Sequence, residues 1–586
     1  MKRKRFAALM LAGLMLAGGC GSSGLTESLN ELAESLDTEA VEKLVEEVLS
    51  SEAPETEVAV ETEAPEPEDA VVEAAAPDDM PELMLSQESF YDTDDDESYT
   101  LLFSGSSGYL KLTPESAEKF PELAKSLEED SLARKEKYDE THEASLEGAK
   151  TDRQNNPEML EGMYYSANYV EHPQRVDNVV LSLTEDCDSF QGGAHGGYWS
   201  TGVTFDAQTG EKLLLTDVLK NTDNLTAILR SELLAAYDED TFFDLDESLA
   251  AYDPTLGEEG AMETESGDFV YPYVWYLTNS GLEFYFAPYA IAPYAMGAQT
   301  VTLKYSDYAE FFEEKYLPSE TNGFVHTFPY AISDQDLNGD GITDELAVSY
   351  EWEEGQENPT GITVAVNEYL DPEKCGGYQP KVTLKSDDLL SDTTFTNYYI
   401  VTEDGRQYLY TMAPTYNDWC VLFVFDLNDE TVKAVDSEWY RGGYLPDGED
   451  FALLVPTVPS RIPFSSNFDF LQTFSAMRYY QPGPDGMPVS DETLYVNHFA
   501  SPDNAVLELK TEIGCEILNE DDSVASEETL PVGTSFCAYR TDGEKILDVM
   551  LSDGRIARLP ITNADYPCEI GGIVDEDLVE QVWYAG

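Results

Sequence analysis

The stretch Tyr276–Tyr294 reads YLTNSGLEFYFAPYAIAPY and carries the clearest structural signal in the chain. Small turn-forming residues at 279–281 are followed by apolar side chains at every second position, which predicts a strand that is buried on one face. These apolar residues are Leu282, Phe284 and Phe286. Pro288 and Pro293 then interrupt the pattern, because proline cannot donate a hydrogen bond to a sheet. The stretch therefore predicts a strand that ends in an irregular loop.

A tyrosine follows each of these prolines, at Tyr289 and Tyr294. Apolar alternation returns at Thr300–Tyr305, so we expect a unit of strand, Pro-Tyr loop and strand. Two roles are open for the loop. Its tyrosines are either exposed, where they stack on a sugar or hold a protein partner, or buried, where they brace the loop itself.

The excess of acidic residues in the chain excludes some classes of binding partner. The chain has 586 residues, of which 117 are acidic and 32 basic, and its formal net charge is −85. Such a charge repels nucleic acid and anionic lipid headgroups and attracts cations or basic proteins. A high-salt habitat is an alternative origin of the acidity. We therefore expect no nucleic-acid partner.

The N-terminus has the pattern of a bacterial secretory signal. Lys2–Arg5 is basic, Phe6–Leu16 is apolar, and the small residues 17–19 lead directly into Cys20. This order resembles the lipobox of bacterial lipoproteins, in which the cysteine is lipidated and becomes the mature N-terminus. The sequence thus predicts a protein that is anchored to the membrane through lipid on Cys20 and faces the outside of the bacterial cell.

A glycine cluster precedes one of the strands expected in the first half of the folded chain. Residues 192–197 read GGAHGG and lead into a strand at Tyr198–Phe205. Glycines of this kind hold a backbone open for a ligand, with His195 as a polar contact, or form a strained turn beside a core histidine.

A charged helix from Pro114 to about Lys150 is expected upstream, since Thr113 and Pro114 form a helix start signal.

These motifs together resemble a known family. The resemblance rests on Gly193-Ala194-His195-Gly196, Thr204-Phe205-Asp206, Thr209-Gly210-Glu211-Lys212, Leu277-Thr278, Gly281-Leu282, Phe284–Pro288 and Ile291-Ala292-Pro293-Tyr294. In this order they are similar to the extracellular domain of the anti-sigma factor RsiV and to the N-terminal region of the peptidoglycan deacetylase PdaC. The resemblance covers about residues 85–315. It implies an extracellular α+β module, which in RsiV binds lysozyme.

An acidic loop further along has the spacing of a calcium site. Residues 336–344 read DLNGDGITD, with oxygen-bearing side chains at alternate positions and a glycine that allows a sharp turn. The expected ligands are the side chains of Asp336, Asn338, Asp340 and Asp344 and the backbone carbonyl of Ile342. We predict a structural calcium ion here. The alternative is an acidic hairpin turn without metal.

We divide the chain into a lipoprotein signal peptide, an acidic spacer, an RsiV-like α+β domain, a β-rich domain with the calcium-type loop and a small SH3-like β-barrel. The expected bounds are 1–19, 20–84, 85–318, 319–490 and 491–586. No motif for a catalytic metal, nucleophile or phosphate loop is present, so we expect a non-catalytic protein. The predicted partner is lysozyme or another basic protein. The alternatives are a peptidoglycan- or glycan-binding adhesion module and, less favoured, a glycan-modifying enzyme.

Overall fold

The computed structural model describes residues 80–586, apart from gaps at 95–99, 156–162, 258–259, 264–268, 319–322, 354, 371, 373–374, 388, 391–394, 416–418, 429–430, 449, 581–583 and 585–586. The signal peptide, Cys20 and almost all of the spacer predicted at 20–84 lie outside the described residues. We call residues 80–318 the N-terminal region and residues 323–586 the C-terminal region.

Both regions are built from the following elements. The N-terminal region contains β1 (Leu83–Thr93), β2 (Leu101–Leu112), α1 (Pro114–Lys119), α2 (Pro121–Asn155), β3 (Tyr165–Val176), β4 (Val180–Phe190), β5 (Gly197–Asp206), α3 (Leu215–Val218), α4 (Leu225–Ala236), α5 (Leu245–Leu249), β6 (Met262–Glu263), β7 (Phe269–Val270), β8 (Val274–Leu277), β9 (Gly281–Phe286), β10 (Gln299–Lys304) and α6 (Tyr305–Tyr308). The C-terminal region contains β11 (Phe324–Phe328), β12 (Ala331–Gln335), β13 (Asp344–Glu351), β14 (Gly361–Val366), β15 (Lys381–Lys385), β16 (Thr396–Val401), β17 (Gln407–Pro414), β18 (Cys420–Asp426), β19 (Lys433–Gly442), β20 (Tyr444–Asp447), β21 (Asp450–Val455), β22 (Ile462–Phe470), β23 (Gln472–Pro482), β24 (Pro488–Val489), β25 (Tyr495–Val496), β26 (Leu507–Glu508), β27 (Ile513–Leu518), β28 (Val524–Leu530), β29 (Ser535–Thr541), β30 (Ile546–Leu551), β31 (Ile556–Asn563), β32 (Glu569–Ile570), β33 (Ile573–Val574) and α7 (Asp575–Leu578).

A mixed sheet with the order β20-β21-β1-β2-β3-β4-β5 forms the base of the N-terminal region. Its strands are antiparallel except β2 and β3, which are parallel because α2 connects them. The helix packs Leu123 and Leu127 against Val203 and Phe205 on one face of the sheet. The expected charged helix is therefore present, with a break at Phe120 between α1 and α2. The predicted α+β character of this region is confirmed.

The stretch Tyr276–Tyr294 and the residues that flank it form a second sheet, which has three strands in the order β10-β9-β8. Strands β9 and β10 pair antiparallel on either side of the Pro-Tyr loop, as the sequence predicts. The expectation of a single buried face is wrong, since Tyr285 on the opposite face of β9 is also buried. The cause is close sheet packing: a Cβ on Gly202 of β5 would lie 2.4 Å from the carbonyl oxygen of Trp275 on β8.

The C-terminal region is β-rich, as predicted. A four-stranded sheet, β12-β13-β14-β15, packs its apolar side chains on β16–β18, with Leu346 and Val364 facing Leu409 and Phe423 in one core. Strands β12 and β13 flank the acidic loop. Further on, β27 and β29–β31 enclose another core. The described strands do not close into a barrel, so the SH3-like prediction is not confirmed.

Two sheets extend across the domain borders expected from the sequence. The hairpin β20–β21 belongs to the C-terminal region but pairs with β1, from Leu83 opposite Val455 to Ser86 opposite Ala452. Strand β25, which follows the border expected at 490, pairs with both β23 and β29. The regions on either side of each border therefore share backbone hydrogen bonds.

Candidate binding surface beside the Pro-Tyr loop

The glycine cluster forms a loop between β4 and β5 that places His195 at the surface. Gly192 and Gly193 have φ angles of +82° and +101°, which a side chain would disfavour. His195 is exposed, and its ring stacks on Tyr294 with the ring centroids 4.0 Å apart and an interplanar angle of 24°. One ring nitrogen, Nδ1, lies 2.8 Å from the carbonyl oxygen of Gly196. His195 is thus a surface residue, and the alternative of a core histidine is excluded.

The two tyrosines of the Pro-Tyr loop meet this histidine. The Tyr294 hydroxyl donates to the carbonyl of Gly196 at 2.8 Å, across 98 residues of chain. Tyr289 lies with its ring centroid 5.5 Å from that of Tyr294 and is 48% exposed. Its φ of +71° is unusual for an aromatic residue, and its amide donates to the carbonyl of Ala292 within the loop. Tyr294 therefore braces the loop, while Tyr289 is presented to solvent.

A fourth ring was not identified from the sequence. Tyr198, the second residue of β5, lies with its ring centroid 6.0 Å from that of Tyr294 and is 39% exposed. Its hydroxyl accepts a hydrogen bond from the amide of Ala298 at 3.1 Å. The neighbouring Trp199 points to the opposite face of the sheet, where it packs on Tyr169. Successive residues of a strand point to opposite faces of the sheet, so Tyr198 and Trp199 lie on different faces. This alternation is the sequence signal from which Tyr198 could have been identified. We call His195, Tyr198, Tyr289 and Tyr294 the aromatic cluster.

Two carboxylates adjoin this cluster on the sheet face that α2 leaves uncovered. Asp188 on β4 is directly opposite Tyr198, and Asp186 is opposite Ser200, so their side chains lie on the same face. Asn168 donates to Asp188 at 3.1 Å, and Ser200 donates to Asp186 at 2.7 Å. Burial raises the pKa of Asp188. Ring faces beside carboxylates form a surface suited to cationic side chains.

The predicted calcium ligands lie together in the loop between β12 and β13. The carboxylate of Asp336 accepts hydrogen bonds from the amides of Gly339 and Gly341, each at 2.8 Å, and the Asn338 amide group donates to Asp340 at 3.1 Å. Gly339 and Gly341 have φ angles of +76° and +87°. The sharp turn expected at Gly341 is therefore present, and it gathers these side-chain oxygens into one tight loop.

The other two expected ligands differ in exposure. Asp344 is 1% exposed and accepts hydrogen bonds from the amide of Leu337 and the side chain of Asn367. Ile342 is 40% exposed, and its amide donates to Asp340. Oxygen donors of this set suit a hard cation. Among the residues that the structure describes, however, no group of three or more His, Cys, Asp or Glu side chains is arranged to hold a metal ion. Calcium stays a prediction.

Comparison with known proteins identifies one domain. Residues 214–306 match the family described as "Protein of unknown function (DUF3298)". The matched segment runs from α3 through β10 and includes Tyr289 and Tyr294, so the chain contains a DUF3298 domain. No curated protein matches the chain. Within the described ranges no helix has the length and apolar character needed to cross a bilayer.

Two solved structures of DUF3298 family proteins are similar to the chain. A protein from Bacteroides fragilis is 21% identical and covers 39% of this chain and 94% of its own, with a TM-score of 0.29. A protein from Pseudomonas aeruginosa is 15% identical and covers 42% of this chain and 100% of its own, with a TM-score of 0.26.

Proposed function

We propose that the protein is a non-catalytic binding protein of the cell envelope, and that it holds a basic protein on the aromatic cluster. The observation that carries the proposal is the convergence of His195, Tyr289 and Tyr294 at one exposed surface. Tyrosine is enriched at protein interfaces because it presents a large rigid surface with a polar tip. The three tyrosine rings of the aromatic cluster lie beside the carboxylates of Asp186 and Asp188, and this combination favours a partner rich in lysine and arginine.

The charge of the whole chain supports the same class of partner. A net charge of −85 attracts a basic protein over distance and accelerates its association, and the effect weakens as salt is added. Lysozyme is the basic partner that the resemblance to RsiV implies. Asp186 and Asp188 supply local negative charge where the rings supply contact area. We therefore propose lysozyme, or a protein of similar charge, as the ligand.

Binding of lysozyme to the purified protein at low salt tests this proposal. We expect saturable binding that weakens as salt rises, and the variant Tyr289→Ala/Tyr294→Ala should bind at least about tenfold more weakly. Tyr566→Ala is the matched control, because Tyr566 is a 78% exposed tyrosine in the C-terminal region. Absence of wild-type binding at low salt would reject the proposal. Co-sedimentation with purified peptidoglycan that depends on the same two tyrosines would instead favour the glycan-binding alternative.

We further propose that lipid on Cys20 anchors the protein to the outer face of the bacterial cell membrane. The support is the basic, apolar and small-residue order that precedes this cysteine. In the producing cell, Cys20→Ser should move the protein from the membrane fraction to the soluble fraction. Retention of the variant in the membrane fraction would contradict a lipid anchor at this position.

A further inference from the structure

A group of charged side chains is buried between α2 and the sheet of the N-terminal region. Asp130 on α2 is 7% exposed, and Glu171 on β3 and Glu185 on β4 are each 1% exposed. Arg134, four residues after Asp130 on the helix, reaches all three carboxylates with its side chain 11% exposed. Lys212, which follows β5, pairs with Asp130 and has its side chain 45% exposed. We call these five residues the carboxylate cluster.

The guanidinium of Arg134 donates hydrogen bonds to two of the three carboxylates. Its Nε atom donates to Asp130 at 2.7 Å, and its Nη1 atom donates to Glu185 at 3.1 Å and to the Thr201 hydroxyl of β5 at 2.8 Å. The Oε1 atom of Glu171 lies 3.4 Å from the same Nε atom, which already donates to Asp130. This Oε1 atom has no hydrogen-bond partner among the described residues.

The second oxygen of Glu171 holds its side chain in this position. Oε2 accepts a hydrogen bond from the amide of Leu110 on β2 at 2.7 Å. The carbonyl of Leu110 in turn accepts one from the hydroxyl of Ser131 on α2 at 3.1 Å. The backbone of Leu110 is therefore bonded to both β3 and α2, and Glu171 cannot turn toward solvent without breaking its bond to β2.

The cluster holds more carboxylates than cations, and one of its two cations is half exposed. Burial is the main cause that raises the pKa of Glu171 from 4.5 to about 8. The charges of Asp130 and Glu185 act in the same direction. The amide of Leu110 and the charge of Arg134 oppose the shift.

Two further titratable side chains beside the cluster stay neutral. Tyr109 on β2 and Cys187 on β4 are buried, and burial raises both pKa values. Neither side chain therefore supplies a charge that could compensate the carboxylate of Glu171. With one oxygen unbonded and the nearest guanidinium donor directed to Asp130, Glu171 is the member of the cluster whose ionisation costs most.

We propose that Glu171 carries a proton in the folded protein at neutral pH, and that its ionisation at alkaline pH loosens α2 from the sheet. With the proton in place, two carboxylates face two cations. Loss of the proton adds a third buried carboxylate with an unbonded oxygen, which is unfavourable in an environment of low dielectric constant. The carboxylate cluster is thus an alkaline-sensitive switch, and it is independent of the partner proposed for the aromatic cluster.

The direction of the effect follows from proton linkage. Glu171 ordinarily has a pKa of 4.5, so the closed contact holds a proton that an opened contact loses. The stabilising effect of this proton is complete below about pH 4.5 and is lost as pH rises to about 8. Within that interval the equilibrium constant for opening should rise by about tenfold per pH unit.

Hydrogen exchange of the full chain, followed in peptides from 101–112 and 121–138, tests the switch once intrinsic exchange rates are removed. Glu171→Gln keeps an acceptor for the Leu110 amide but cannot ionise. The ratio of its protection to that of wild type should therefore rise by about a hundredfold or more between pH 5 and pH 8. Glu128→Gln, which alters an exposed carboxylate of α2, is the matched control and should follow wild type throughout.

Infrared spectroscopy reports the proton itself. The difference spectrum between wild type and Glu171→Gln at pH 7 should contain the carbonyl band of a protonated carboxyl group, and this band should disappear at alkaline pH. Asp130→Asn removes a charge that raises the pKa of Glu171, so the band should disappear at a lower pH than in wild type.

Two results would overturn the proposal. One is the absence of the carboxyl band from the difference spectrum at pH 7. The other is a wild-type protection in these two segments that does not decline between pH 5 and pH 8, and this result needs no variant.

Discussion

The aromatic cluster and the acidic loop differ in how the chain assembles them. The acidic loop comes from nine consecutive residues whose side chains are hydrogen-bonded to their own backbone, as Asp336 is to Gly339 and Gly341. The aromatic cluster joins two loops that are 98 residues apart in the chain, and two of its rings, Tyr198 and Tyr289, are 39% and 48% exposed. A local motif satisfies its own polar groups, whereas a surface built from distant segments is free to satisfy those of a partner.

This contrast predicts that substitutions in the loop reduce stability and that substitutions in the cluster reduce binding. The largest effect is expected at Asp344, which is 1% exposed and accepts hydrogen bonds from Leu337 and Asn367. Asp344→Ala removes the acceptor of the buried Leu337 amide and one of the two acceptors of the Asn367 side chain, the other being the carbonyl of Tyr378, so the free energy of unfolding should fall by about 3 kcal/mol. Urea denaturation measures the change. Asp436→Ala, at an exposed position of β19, is the control, and an equal loss in both variants would contradict the prediction.

Calcium should raise the melting temperature if the loop binds it. At a calcium concentration about a hundredfold above Kd, the gain in unfolding free energy is about 2.7 kcal/mol. Thermal melts with calcium and with chelator measure the effect. Asp340→Ala should abolish it, because Asp340 supplies one of the expected ligands, whereas Asp404→Ala in another exposed turn should preserve it. Identical melts of the wild type in calcium and in chelator would refute a structural calcium ion.

The smallest change in stability is expected in the aromatic cluster. Tyr289 is 48% exposed and has little packing to lose, so Tyr289→Ala should change the free energy of unfolding by less than about 0.5 kcal/mol. The same variant should weaken lysozyme binding. Urea denaturation and a binding isotherm on one sample separate the two effects. A large loss of stability would show that Tyr289 braces the loop, and the difference between the two sites would then disappear.

The features that could be predicted from the sequence are those that depend on residues close together in the chain. The pairing of β9 with β10, the helix that starts after Thr113 and the turn at Gly341 depend on neighbouring residues, and the sequence predicted all three. The contact of His195 with Tyr294 depends on how β5 and the Pro-Tyr loop approach each other, which no local pattern records.

The alternating pattern of β9 also predicts only part of its environment. It places Phe284 and Glu283 on opposite faces of the strand, but it does not show that a second sheet covers the face of Glu283. An alternating pattern predicts one buried and one solvent-facing side of a strand, whereas both sides of β9 carry buried residues because a second sheet packs on it.

The hairpin β20–β21 has a consequence for work on isolated parts of the chain. It covers the backbone edge of β1 from Leu83 to Ser86, more than 350 residues earlier in the sequence. A fragment that ends at residue 318 would leave this edge bare, and a bare edge is a template for another chain. Such a fragment should self-associate, and a dimer observed with it would report the missing hairpin and not the assembly state of the whole protein.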